Sequence, residues 1–573
     1  MDGPSDERAL ASVLAASEDD ALCDLFAARR LPPATPADDF FDVAAALLSE
    51  PSIDRALARL SAPMIAALVH ADASAVAPPV RDALHALALV DADGVPYRAV
   101  NERLTASGIA RFASDADEPA TGSADAAGTA SSAERAFSAT ASLADVVVAA
   151  MSAPLHRTGA GAVSAVERKR LVDEGAVADG DALDDILALG EDAGLLRPLD
   201  RSWVTTDLAS AWLDASTADR WRTVALAYIR SLPSALRTAD GGFIRVPSWA
   251  GRYPLDAEWP ARAAVLARRA QSWGILTADG TQPPWTSVLL RDGLADTSTL
   301  TEHLPPEVDR IYLQADLSAI SPGPLAPRLE QRLRRMTVRE ARAQASTYRF
   351  SADSLTAAVS GGETAASIRE FLETLSLTGI PQPLAYLIDT TAARHGLIRV
   401  GTDAAGRTVV RSDDPQTRAT LAVDHALRPV GLVAHDDTLV SRASRDTVYW
   451  SLVDARYPVV AVDADDQVER VSRRTAGGAA VSTEPTQQYA ALIARLRSTH
   501  GPDADAAWLE RELEQAVRGR SVVEVDVSLP DGTTRTFILE ATGLGGGRLR
   551  GLDRAADVER TLPLTSIAAV RPR

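Results

Sequence analysis

Apolar residues recur at steps of three and four from the start of the chain. Between Asp6 and Ala28, residues Leu10, Val13, Leu14, Leu22, Leu25 and Phe26 predict a helix pair, closed by the proline-rich turn LPPATPADDF. The same spacing runs on through SIDRALARLSAPMIAALVHA and APPVRDALHALALVDADG, so residues 1–112 read as one helical module. The pattern then lapses. From Ser114 to Ala133 the sequence SDADEPATGSADAAGTASSA has almost no large apolar side chain to offset the entropy of ordering, which predicts a flexible linker over 113–137. Helical spacing resumes in LADVVVAAM, VSAVERKRLVDEG and ALDDILALGEDAGLL. Alternation follows in LLRPLDRSWVTT, with a turn at Asp200-Arg201. Three helices and a hairpin predict a winged helix inside a helical domain spanning 138–300.

Beyond that domain the period changes. VDRIYLQADLSAISPG, from Val308 to Gly323, has a buried-strand pattern ending in a Pro-Gly turn. With the segment Tyr348–Val400 it gives the order strand, helix, strand, helix, helix, strand in a mixed α/β domain over 301–475. A helical connector follows over 476–518. The last residues, 519–573, alternate apolar and polar positions around a hairpin turn at Pro530-Asp531-Gly532, which predicts a small β-barrel of about five strands. The fold class is multidomain α+β, with a mainly helical N-terminal half.

Landmark residues in the 301–475 segment carry a resemblance. Tyr348, the Ser354-Leu355 pair, Ala358, Gly362, the Leu372 to Ser376 run, Gly379-Ile380-Pro381 and Gly396 resemble, in type, order and spacing, the N-terminal non-motor domain of XPB-type DNA helicases. The terminal β segment resembles the SH3-like WYL domain of bacterial regulators, although the Trp-Tyr-Leu signature is absent. Taken together, the segments look like the actinobacterial helicase-associated domain proteins. That resemblance implies a role in DNA repair or transcription, with DNA or an XPB-type helicase as partner.

The helicase motor itself is absent from this sequence. Its single lysine, Lys169, lies in VERKR, whereas a P-loop needs G-x-x-x-x-G-K-[ST] to cradle the phosphates and neutralise them. Gly159 and Gly161 lack the third glycine of a G-x-G-x-x-G. The eight histidines form no H-E-x-x-H or other close ligand pair, and no G-x-S-x-G elbow occurs. The sequence therefore predicts no catalytic residues, no metal site and no cofactor.

Composition and charge narrow the partners. A formal net charge of −19 excludes a chain that coats nucleic acid over its whole surface, because phosphate binding follows local cation density. Between Asp2 and Asp54 lie twelve acids, which makes the N-terminal end a poor DNA surface and a plausible protein-contact surface. Cys23 is the one cysteine, so no internal disulfide or Cys-based zinc site can form. No run of about eighteen apolar residues appears. A cytoplasmic protein with no membrane partner is expected, and its oligomeric state is left open.

Nucleic-acid contact must then come from local basic patches. Arg328, Arg332, Arg335, Arg339 and Arg342 recur at steps of four and three, opposite Leu329, Leu333 and Met336. On one continuous helix they form a basic stripe; the helicase resemblance instead places a strand near Ala341 to Phe350, which splits it. Arg168, Lys169 and Arg170 on the second helix of the winged-helix segment form a second candidate, against a solvated helix face. Arg548 and Arg550 in the terminal β segment form a third. Spaced tryptophans (Trp221, Trp249, Trp259, Trp273, Trp285) read as core anchors rather than base-stacking platforms. Three functions fit this pattern: a non-catalytic DNA-repair or transcription accessory protein, a winged-helix transcriptional regulator, or a protein-interaction scaffold.

Overall fold

A computed structural model describes residues 5–70, 78–109, 120–159, 161–238, 242–292, 297–342, 345–394, 398–403, 406–455, 457–463, 466, 468–469, 485–501, 504–529, 533–554 and 556–572. Gly396, the turn Pro530-Asp531-Gly532 and residues 113–119 of the expected linker lie outside the described residues. The chain divides into two compact units. One comprises Met1–Pro119, Pro247–Ala264 and Ala480–Arg573; the other comprises Ala120–Val246 and Val265–Ala479.

In the first unit, short helices from Asp6–Ala16 to Arg98–Ala106 bury the apolar face that their spacing predicts. Leu10, Leu14, Leu22, Phe26 and Phe40 are all in one core. Ser5 and Asp39 cap two of these helices by accepting hydrogen bonds from backbone N–H groups of the first turn. The described part of 476–518 is helical as expected, with Pro485–Thr499 and Ala504–Gly519. Its helix Pro485–Thr499 contributes Tyr489, Leu492, Ile493 and Leu496 to that same core, and the Tyr489 hydroxyl donates to the Leu31 carbonyl at 2.8 Å. A period-3.6 pattern shows that a helix has an apolar face; it does not show which distant segment covers that face.

The unit's C-terminal sheet runs in the order Val558–Pro563, Arg548–Asp553, Thr534–Gly545, Val522–Ser528, Ile567–Pro572, antiparallel throughout. The predicted barrel is also corrected, because among the described residues the outer strands Val558–Pro563 and Ile567–Pro572 do not pair and the sheet stays open. Its inner face is covered by the helix Ala504–Gly519, whose Leu513 and Ala516 pack with Val523, Val525 and Leu539. Burial by a helix replaces burial by closure.

In the second unit, the linker prediction fails from Ala126 onward. Ala126–Ser152 is a helix of 27 residues, started by Asp125, whose carboxylate accepts from Gly128 N–H at 2.7 Å. Alanine is the best helix former, and the small residues Thr129, Ser132, Ala133 and Ala136 are buried rather than solvated. They allow close approach: a Cβ on Gly274 would lie 2.4 Å from the Ser132 carbonyl. Low side-chain volume, read as too little apolar surface to order the segment, is here the means of close packing.

Next come the helices Ala165–Asp173 and Gly180–Asp192 and a three-stranded antiparallel sheet in the order Leu155–His156, Ser202–Thr205, Leu196–Leu199. The tryptophans are core anchors. Trp221 and Trp273 each donate the indole N–H to the other's carbonyl, at 2.6 and 3.2 Å, and Trp285 donates to Gly274 O at 2.9 Å. In the first unit Trp259 donates likewise to Trp249 O at 2.7 Å.

The segment expected as one domain over 301–475 contains two sheets, each with its own core. The first has the order Tyr312–Leu313, Ser318–Ser321, Ser346–Arg349, Val338–Arg342 and is followed by helices Ala352–Ser360, Ala365–Leu375 and Gln382–Arg394. The second has six strands, antiparallel except where Val459–Val462 runs parallel to Ile398–Thr402. The Tyr449 hydroxyl, from the second, donates to the Ser360 carbonyl at 3.0 Å.

Candidate nucleic-acid interface

The arginine stripe begins on the helix Pro327–Arg335. Pro327 opens it, where the missing N–H costs nothing, and Arg332, Arg334 and Arg335 occupy its last turn, where cations complement the helix dipole. The helix stops because Met336 turns into the core at 0% exposure, and the Thr337 hydroxyl donates to the Leu333 carbonyl at 2.7 Å. Val338–Arg342 continues as a strand. Of the two expected arrangements the split one is found, with Arg328, Arg332 and Arg335 on the helix and Arg339 and Arg342 on the strand.

The helical three share one face but differ in state. Leu333 is fully buried behind them, while Arg328 and Arg335 are exposed and make no ion pair among the described residues. Arg332 lies between them and is held. Its Nε donates to Glu363 Oε1 at 3.0 Å and its Nη2 to Oε2 at 2.9 Å, with the guanidinium 4.5 Å over the Phe371 ring. Glu363 pushes the Arg332 guanidinium above its ordinary range, so it stays charged. Glu363 itself is buried at 7% exposure, reached through Gly362 at φ 93°, a conformation suited to glycine, and it also accepts from Ser367 Oγ at 2.5 Å. The three arginines, Asp214, Glu363, Ser367 and Gly362 line a shallow depression of about 390 Å³.

Arg339 faces away from this depression's chemistry. With Arg334 it meets Asp145, a buried carboxylate on the helix Ala126–Ser152; Arg334 Nη1 donates to Oδ1 at 2.6 Å and Arg339 Nη2 donates to Oδ2. Arg339 also approaches Glu330 at 3.3 Å. Its role is structural. The Arg342 side chain lies outside the described residues.

Arg168, Lys169 and Arg170 do lie on the helix Ala165–Asp173, yet each is paired. Arg168 donates to Asp184 at 2.8 Å and to the Gly180 carbonyl, Lys169 to Asp173 at 2.7 Å, and Arg170 to Glu167 and Glu174 at 2.7 and 3.2 Å. Surface pairs of this kind screen the charge locally. Arg548 and Arg550 are exposed on the strand Arg548–Asp553 and make no ion pair among the described residues. Opposite them stand Gly545 and Gly543, where an added Cβ would meet open space. On their other side the two arginines stand opposite Pro563 and Thr561.

Sequence spacing missed Glu363 and Asp145, the two carboxylates that decide which arginines are available. Signals existed for both. Asp145 is the one charge within LADVVVAAM, and Glu363 follows the Gly361-Gly362 pair just before a capping box formed by Thr364 and Ser367.

Residues 311–436 match the family model described as helicase conserved C-terminal domain. The match spans the helix Pro327–Arg335 and Glu363, and it supports a helicase-associated protein. No curated protein matches the chain. Among the described residues, no group of acids, histidines and cysteines could hold a metal ion, and no helix is long and apolar enough to cross a membrane.

Proposed function

We propose that this chain is a non-catalytic, helicase-associated accessory protein of DNA repair or transcription that binds DNA through the Pro327–Arg335 helix and engages an XPB-type helicase through the surrounding domain. One observation carries the reading: inside the region similar to a helicase domain, Arg328 and Arg335 are exposed without carboxylate partners in a chain that is otherwise strongly acidic. Side chains left unpaired in that setting are available to phosphate, and the two free guanidiniums on one face suit a backbone contact that carries no sequence information. Absence of a P-loop lysine from the sequence fits an accessory role, with the motor supplied by the partner.

The test is binding of full-length protein to labelled forked and duplex DNA by fluorescence anisotropy across about 50 to 200 mM salt. Affinity that falls steeply with salt, together with capture of an XPB-type helicase by the full chain after nuclease treatment, supports the proposal. Absence of both low-salt DNA binding and helicase capture overturns it.

A second reading, a transcriptional regulator, is favoured by the order of strands around Ser202–Thr205 and the two helices before them, which fits a winged helix, and by the exposed Arg548 and Arg550 on a WYL-like terminal sheet. It requires sequence preference, so equal affinity for unrelated duplexes counts against it. A purely structural scaffold would show no salt-dependent DNA affinity at all.

A further inference from the structure

The strands Leu196–Leu199 and Ser202–Thr205 are joined by a two-residue loop, Asp200-Arg201, with Asp200 at φ 50°. Leu155–His156 lies on the other side of Ser202–Thr205, with Leu155 opposite Trp203 and His156 opposite Ser202. One step further that register sets Arg157 against Arg201, and the Arg157 N–H donates to the Arg201 carbonyl at 2.7 Å. Residues directly opposite in an antiparallel pair project from the same face, where like charges repel. Neither arginine forms an ion pair among the described residues. Burial, then Asp192, pushes the Glu191 carboxyl up, and the charge of Arg157 partly opposes that without an ion pair.

Arg157 is nonetheless fixed in place. Its guanidinium lies 5.1 Å over the Trp203 ring and its Nε donates to the Gly161 carbonyl at 3.0 Å, while Arg201 is exposed at the turn. Two arginines drawn together at a hairpin end by a backbone bond, with no carboxylate to neutralise them, break a local rule of charge placement, and such conflicts concentrate at functional sites. The rest of this module has the opposite character. Its helix Gly180–Asp192 carries Asp181, Asp184, Asp185, Glu191 and Asp192 with no basic residue; Asp184 is held by Arg168 and the buried Asp185 by Arg268 and Arg269, and the cations of Ala165–Asp173 are already paired.

We infer that this module meets duplex DNA with the hairpin end of its sheet, Arg157 and Arg201 together contacting backbone phosphate, and not with the Gly180–Asp192 helix. A two-stranded ribbon fits a duplex groove, and a helix with no basic residue, whose Asp181, Glu191 and Asp192 make no ion pair among the described residues, offers the phosphates no cation. The inference rests on the DNA-binding reading above but uses different residues, so the two can fail separately.

The experiment photo-crosslinks the full chain to a short mixed-sequence duplex carrying 5-iodouracil, with adduct peptides assigned by mass spectrometry, beside a salt series on Arg201→Ala and Arg157→Ala. Adducts within residues 155–205 and a salt slope lowered by about one in Arg201→Ala are expected. Arg157→Ala also loses its stack on Trp203, so Arg201→Ala, which disturbs no packing, carries the decision if the first variant misfolds. Adducts confined to 327–335 with an unchanged slope in Arg201→Ala overturn this inference and leave the DNA-binding reading standing. Absence of both adducts and binding overturns both.

Discussion

Glu363 holds Arg332 by two parallel hydrogen bonds, at 3.0 and 2.9 Å, and so withdraws the middle cation of a three-arginine face. Such a fork-to-fork pair is geometrically specific, and the buried carboxylate has few other donors. Replacing Glu363 with Gln keeps an acceptor for Ser367 and removes the charge. The expected result is tighter DNA binding with a salt slope steeper by about one, read by anisotropy over a salt series. An unchanged slope would mean that Arg332 does not reach phosphate even when released.

Arg328 and Arg335 are the complementary case. Both are exposed, and alanine at either position removes little packing. The double variant Arg328→Ala/Arg335→Ala is expected to retain its circular dichroism spectrum and melting temperature while its salt slope falls by about two. Equal loss across unrelated sequences is expected, since phosphate contacts carry no base information. A variant that binds as tightly as the parent, with the same slope, removes this helix from the interface.

The charges of Arg334 and Arg339 converge on Asp145, whose side chain is 3% exposed. Removing one member of a buried ion cluster leaves the others uncompensated, which costs about 3–5 kcal/mol. Asp145→Ala is therefore expected to lower the urea midpoint strongly. Asp145→Asn should do so less, because one hydrogen-bond acceptor survives. Equal stability of parent and alanine variant would show that the cluster contributes nothing net.

How much of this was legible in the sequence follows from what each signal measures. Periodicity located the helices around Leu10, Leu14 and Phe26 and the Asp200-Arg201 turn, because local backbone preference and a one-sided core decide both. It also gave the basic character of Arg328, Arg332 and Arg335. What it left out depends on distant partners: Asp145 lies 189 residues from Arg334, and Glu363 lies 31 residues from Arg332. The linker expectation failed from Ala126 onward for a related reason. Small side chains look like missing core when read alone, whereas against Gly274 they are what lets two backbones touch.

That contact yields its own test. Gly274 has φ 68°, and an added Cβ would meet the Ser132 carbonyl at 2.4 Å and the Ala136 Cβ at 2.9 Å. Backbone on the far side cannot move aside as a flexible side chain can. Gly274→Ala is expected to cost more than about 1 kcal/mol, seen as a lower thermal midpoint. A control at Gly251, where a Cβ would meet open space, should change stability far less. If both variants melt together, the Ala126–Ser152 helix does not pack against this turn as described.

Tyr457 and Asp424 supply a pH-dependent test in the second of the two sheets. The Tyr457 hydroxyl donates to Asp424 Oδ2 at 2.6 Å. That bond, followed by the Ala426 N–H, holds the Asp424 carboxyl below its ordinary value of 3.8. Burial first, then the same bond, pushes the Tyr457 phenol from 10.0 up to about 12. The signs follow from which state binds the proton more weakly. A carboxyl depressed on folding stabilises fully above 3.8, and that contribution is lost as pH falls through the lower folded value. A phenol raised on folding stabilises fully below 10.0, and its contribution is lost as pH rises through about 12. The melting-temperature gap between parent and Tyr457→Phe is therefore expected to be flat across the neutral range and to close at both extremes. A gap that instead widens in acid would show that the two side chains do not share this bond in solution.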